Sequence, residues 1–267
     1  MSAITLQDVV LTIIQVIILL VIIVLSSRIM VKGDRGVLPA FFTFAMVSFL
    51  LSDIYYINYN ILRPDTRMPF AVNEIAECAM MLLLSAGLET ETDGRGKIVP
   101  ADILIPVVFI GSNMGLWIAW SGEWIQDIVF GIPYMYLLFL LVRGIRTSKA
   151  MNTAEVISVL TAGMIEIILQ VLIILFPDRF GGLYLLTGYI LMYIVTAWLL
   201  YKSIRALKDK AGRDNALYLT ITLFLWTLIV LYASDGIYYS IAMGLNNMAL
   251  PIMYLSAAKR SVTNDIC

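Results

Sequence analysis

Long apolar runs separated by short charged clusters set the pattern of this chain. They predict membrane-spanning helices over residues 8–27, 37–62, 69–88, 98–120, 123–142, 153–176, 183–201, 216–243 and 247–258. Most of these runs approach or exceed the ~20 apolar residues that a ~30 Å hydrocarbon core requires. Two runs are weaker. The third carries Asn73, Glu74 and Glu77, and the ninth is short and contains Pro251. The expected fold is an all-α, polytopic membrane bundle of about nine helices. It forms a single transmembrane domain over 1–267 with a short tail from 259 to 267.

The charged clusters strengthen this count. Nine spans and an outside N-terminus place Arg28, Lys32 and Arg35, then Arg95 and Lys97, then Arg143, Arg146 and Lys149, then Lys202, Arg205, Lys208, Lys210 and Arg213, and finally Lys259 and Arg260 on one side. Only Arg63, Arg67 and Arg179 fall on the other. Lys and Arg are retained in cytoplasmic loops, so the basic side and the tail are assigned to the cytoplasm. Dropping any interior span inverts everything after it and destroys the asymmetry. The first run has no Lys or Arg before Arg28 and is long for a cleaved signal segment, so it is expected to persist as a span.

Finer features follow from these spans. Trp117, Trp120 and Trp124 gather at the outer end of the fourth and fifth spans, where indole rings anchor at the headgroup level. Pro106 and Pro133 fall inside spans and are expected to kink them. The segments ending in SDIYY (52–56) and SDGIYY (234–239) each follow a basic loop and a rising span, and a third basic loop precedes the span that carries Glu166. These suggest parallel helical-hairpin repeats, a construction common in transporters.

Composition narrows the chemistry. The chain has 267 residues, of which 61% are hydrophobic and 14% charged, against about 25% charged in soluble domains, so no soluble output domain is expected. Histidine is absent, which removes Ser-His-Asp triads and His-ligated zinc. A phosphate-binding GxxxxGK[ST] loop is missing too. Every lysine falls in a loop or the tail, so no retinal Schiff base is expected within a span. An intramembrane aspartate dyad could pair Asp53 with Asp235 in number, but their surroundings do not resemble protease motifs. No nucleophile and base stand together, so the sequence favours a protein that is not an enzyme, and a nucleic-acid partner does not fit.

What remains is a set of polar residues inside the spans, concentrated in the stretch from Ser52 to Glu77. Asp53, Tyr56, Asn73, Glu74, Glu77, Asp127, Glu166, Asp235, Tyr238 and Tyr239 are the candidate ligand- or ion-binding residues. An ionisable group at membrane depth costs at least ~2.5 kcal/mol to insert and marks a site by default. Residues three and four apart share a helical face, which groups Glu74 with Glu77, Asn73 with Glu77, Asp53 with Tyr56, and Asp235 with Tyr238 and Tyr239. Six carboxyls with no internal cation cannot all carry charge in a low-dielectric interior. They predict an outward-facing, acidic, tyrosine-lined cavity open to protons, a metal cation or an organic amine, with ring faces adding cation–π attraction. The competing reading is plain interhelical hydrogen bonding, averaging ~0.6 kcal/mol per bond.

Two functions fit this pattern. The first is a secondary transporter or permease of the cell membrane for a small cationic or polar solute, coupled to H⁺ or Na⁺ without another cofactor. The alternative is a membrane sensor that binds a ligand outside and signals through a cytoplasmic partner protein. The lipid bilayer is a partner in both, and a homo-oligomer is compatible with either.

Overall fold

The computed structural model describes residues 6–31, 37–62, 72–92, 96–122, 124–176, 182–209, 213–234 and 236–263. The described residues form nine helices and no strand: α1 (Leu6–Val31), α2 (Leu38–Leu62), α3 (Val72–Thr92), α4 (Pro100–Ser121), α5 (Trp124–Ser148), α6 (Thr153–Leu175), α7 (Leu183–Lys208), α8 (Arg213–Tyr232) and α9 (Gly236–Thr263). Eight are long and apolar enough to cross a membrane, α3 being the exception. The chain is a helical membrane bundle.

Local chemistry sets the helix ends. Helix α4 begins with Pro100, whose fixed φ suits the first turn, and Asp102 Oδ2 accepts from the Val99 backbone N–H at 3.0 Å. Its end is closed by Gly122 in the left-handed region, with the Gly122 N–H donating to the Ile118 carbonyl. Helix α6 starts in a reciprocal capping box: the Glu155 N–H donates to Asn152 Oδ1 at 2.8 Å, and the Asn152 N–H donates to Glu155 Oε2 at 2.9 Å. Both α4 and α5 run on as helix through Pro106 and Pro133.

Eight helices close into a ring in the order α1, α2, α3, α5, α4, α6, α7, α9 and back to α1, each touching the next among the described residues. Helix α8 stands inside, against α5, α7 and α9. Its span is 78% buried, against 28–50% for the other seven. Gly144 on α5 makes the close approach to α8 possible, because a Cβ there would collide with the Tyr218 ring. Phe49 on α2 meets Phe224 edge-on at 5.6 Å. On the α9 side, the Thr220 and Ser256 hydroxyls are 2.6 Å apart.

Ion pairs fasten one end of the bundle. Arg146 on α5 holds Asp102 on α4 through two hydrogen bonds of 2.7 and 2.8 Å, the strong forked geometry of guanidinium on carboxylate. Lys202 on α7 holds Glu155 on α6, and Arg260 on α9 holds Glu91 on α3, each at 2.8 Å. Tyr136 donates to Glu89 at 2.9 Å. Glu89 and Glu91 therefore belong to the end of α3 and its contacts, beyond the boundary at 88 that the apolar run predicts. The Arg260 pair places the end of α3 beside the end of α9, and with Glu77 meeting Ser52 late in α2 and Gly87 lying against Leu38 and Phe41 at its start, α3 runs antiparallel to α2 as a full member of the ring. The hairpins α2/α3, α4/α5, α6/α7 and α8/α9 each pack internally.

The structure corrects the last two spans. The expected run 216–243 is two pieces, because α8 ends at Tyr232 and α9 begins at Gly236 with φ +52°. A residue with positive φ interrupts right-handed helix, and glycine adopts it at least cost. Asp235 lies outside the described residues. Tyr238 and Tyr239 belong to α9. The SDIYY segment, by contrast, is continuous helix within α2, so the two similar segments hold different backbones. Helix α9 continues to Thr263, past the start expected for the tail. Glu123, Arg63, Arg67 and Arg179 lie outside the described residues.

Candidate functional site

Four helices bring polar side chains together near the end of the bundle opposite the ion pairs. Helix α2 supplies Ser52 and Asp53, α3 supplies Glu77, α5 supplies Tyr134, and α8 supplies Tyr232 at its last residue. Ser52 donates to Glu77 Oε1 at 3.1 Å, and the Tyr232 hydroxyl donates to Glu77 Oε2. Tyr134 and Tyr232 share a hydroxyl–hydroxyl hydrogen bond. Both oxygens of Glu77 are thus occupied by donors from different helices. Asp53 and Glu74 lie close enough to Glu77 to interact with it electrostatically.

Asp53 differs from Glu77 in one respect. It is 8% exposed, and its Oδ2 is buried without a hydrogen-bond partner among the described residues. Asn73, one turn from Glu77 on α3, also has an unpartnered Oδ1. Among the described residues, no lysine or arginine acts on Asp53 or Glu77. Unsatisfied buried acceptors are expensive, and two carboxyls side by side with no internal cation call for a proton or another positive donor. Among the described residues, no group of three or more Asp, Glu, Cys or His is arranged to hold a metal ion.

The remaining candidates divide. Asp127 is half-buried on α5, seven residues and thus two turns from Tyr134, which puts it on the same face toward the end opposite the ion pairs. Tyr56 is half-buried one turn beyond Asp53. Glu166 stands apart: α6 touches only α4 and α7 among the described residues. Its Oε1 accepts from Gln170 at 2.8 Å and its Oε2 lies against Gly188 of α7, where a Cβ would collide. Tyr238 stacks on Tyr189 of α7 with ring centroids 4.1 Å apart. Tyr239 is half-buried in the first turns of α9, and Asp235 is outside the described residues.

Sequence reasoning missed three members of the group. Ser52 adjoins Asp53 and could have been read with it. Tyr134 repeats the face of Asp127 after seven residues, a detectable period. Tyr232 had no distinguishing signal, because it joins the site only through the central position of α8.

A separate crevice of about 340 Å³ lies between α4 and α6, lined by Ser112, Gly115, Leu116, Ile167 and Val171. It holds none of the acids. At the acids themselves the structure forms a direct hydrogen-bonded knot joining four helices. The chain matches no protein-family model, no curated protein and no solved structure.

Proposed function

We propose that the bundle is a secondary transporter for a small cationic or polar solute, with Asp53 and Glu77 taking the coupling cation, H⁺ or Na⁺. The observation that carries this reading is the buried Oδ2 of Asp53, which lies beside Glu77 and has no hydrogen-bond partner among the described residues, none of whose basic side chains acts on either carboxyl. Its location supports the same reading. Tyr232, which holds Glu77, is the last residue before the break between α8 and α9, and helix breaks beside buried polar groups recur at transporter sites.

The test uses proteoliposomes loaded with a pH-sensitive dye and given either an inward H⁺ or an inward Na⁺ gradient. Methylamine and choline serve as probe solutes. The expected result is gradient-driven uptake of one probe, reduced at least about tenfold in Asp53→Asn/Glu77→Gln, the loss expected when ~1.4 kcal/mol of interaction is removed. Uptake identical in the wild type and the double variant would overturn the assignment.

One observation favours a sensor as the second reading. Helix α3 carries Glu77 and, fourteen residues on, Glu91 in its pair with Arg260, so a shift at the site would reach the basic end through one helix about 21 Å long. Saturable binding of a probe without flux would select this alternative.

A further inference from the structure

The hydrogen bonds around Asp53 and Glu77 treat the two carboxyls unequally. Ser52 donates to Glu77 Oε1 and Tyr232 donates to Glu77 Oε2, while Tyr134 and Tyr232 share a hydrogen bond between their hydroxyls. A phenol has a single proton to give, so with Tyr232 donating to Glu77, the Tyr134 hydroxyl donates to Tyr232. The chain Tyr134–Tyr232–Glu77 therefore runs in one direction and ends on a carboxyl that acts as acceptor at both oxygens. An acceptor-only carboxyl is the ionised form, and hydroxyl bonds to a carboxylate are about twice as strong as neutral ones.

Asp53 has the opposite surroundings. It is 8% exposed, and its buried Oδ2 has no hydrogen-bond partner among the described residues. It is the sixteenth of the 25 residues of α2, with about 14 Å of helix between it and Leu62, and so lies within a ~30 Å core. Among the described residues the charged group acting on it is Glu77, and Glu74 and Cys78 act on Glu77 from the same helix. Helices α1 and α9, which also pack on α2, bring Asp53 no charged partner among the described residues.

A buried carboxylate with neither donor nor cation is the costly form, and such a group neutralises instead. A second carboxylate alongside sharpens the need, because like charges in one dry site cannot both persist. One open oxygen is enough for a proton, whereas a hard metal cation collects a shell of several oxygens. Resting on the transport reading, we infer that the coupling ion is H⁺, that Asp53 carries it, and that Glu77 is the fixed carboxylate held by Ser52 and Tyr232. Loading adds H⁺ to the Asp53 carboxylate to give the neutral acid, and release returns the carboxylate. Glu77 is a positioning residue that keeps its charge through both steps.

The test is infrared spectroscopy of the purified full-length protein in lipid nanodiscs at neutral pH, in H₂O and D₂O, with NaCl or choline chloride. The difference between wild type and Asp53→Asn should show the C=O band of one protonated carboxylic acid, shifted by D₂O and the same in both salts. The difference between wild type and Glu77→Gln should show the loss of an ionised carboxylate. Asp53→Glu should restore the acid band, so a poorly folded asparagine variant does not decide the matter. Tyr232→Phe strips a donor from Glu77, and combined with Asp53→Asn it should bring back an acid band at Glu77, a change that lost packing alone does not produce. An ionised Asp53 or a protonated Glu77 in the wild type, or an acid band that Na⁺ removes, would overturn the proposal. Flux separates it from the reading on which it rests. Uptake driven by a Na⁺ gradient and not by an H⁺ gradient would overturn H⁺ as the ion and leave a transporter, whereas an acid band on Asp53 without flux would remove the transporter and leave the proton site.

Discussion

At the scale of single residues, Glu77 and Asp53 are two carboxyls in nearly the same place with different fates. Glu77 is saturated by Ser52 and Tyr232, whereas Asp53 keeps a buried acceptor open. Removing a donor from Glu77 should therefore cost stability. Tyr232→Phe keeps the ring but leaves Glu77 Oε2 bare, and should lower unfolding stability by about 1–3 kcal/mol, read by denaturant or thermal unfolding in detergent. Asp53→Asn, which removes the charge while keeping the shape, should cost less than Tyr232→Phe in the same measurement. Both carboxyls were visible in the sequence because an acid inside an apolar run is conspicuous. Tyr232, which holds Glu77, was not, since the chain has 14 tyrosines and only helix packing selects this one. Glu166 looked equivalent to Asp53 in sequence, yet among the described residues α6 reaches neither α2 nor α3.

At the scale of elements, the turn between α8 and α9 shows how a hydropathy pattern can hide a boundary. Apolar residues on both sides of Ser234 and Asp235 merged two helices into the single run 216–243, although Ser-Asp-Gly is a turn signal. Helix α7 holds both sides of this turn. The Tyr189 hydroxyl donates to the Ala233 carbonyl at 3.3 Å, and the Tyr193 hydroxyl donates to the Tyr238 carbonyl at 3.0 Å. A Cβ at Gly236 would meet nothing within 4 Å, so Gly236→Ala should cost only the positive-φ penalty of about 1–2 kcal/mol. Gly236→Asn should cost less, because asparagine tolerates that region. Equal melting temperatures for the alanine variant and the wild type would contradict the left-handed backbone at this position. Most other boundaries followed the apolar runs to within a few residues, because hydrocarbon thickness and flanking charge fix both ends of a span.

At the scale of the whole molecule, the charge pattern along the chain became a fastened end of the bundle. Arg260 and Glu91, with side chains 14% and 12% exposed, join the last helix to the third. Arg260→Glu should place two acids together in a partly dry setting and cost about 3 kcal/mol. Adding Glu91→Arg should restore most of that loss, and a double-mutant cycle by thermal unfolding measures the coupling. The number of helices and their alternation were legible from Lys and Arg positions. The ring order, with α5 beside α3 and α8 enclosed, was not, because hydropathy reports burial from water and says nothing about which apolar face meets which neighbour.

The enclosed position of α8 has a consequence for how the protein is made. Helices leave the ribosome in order, so α8 must enter a palisade of seven helices that still has a gap between α1 and α7. Helix α9, which touches both of these and α8, arrives afterward and fills the gap. Helix α9 is thus the door of this ring, and a nascent chain halted before it would hold its innermost helix in an unclosed barrel.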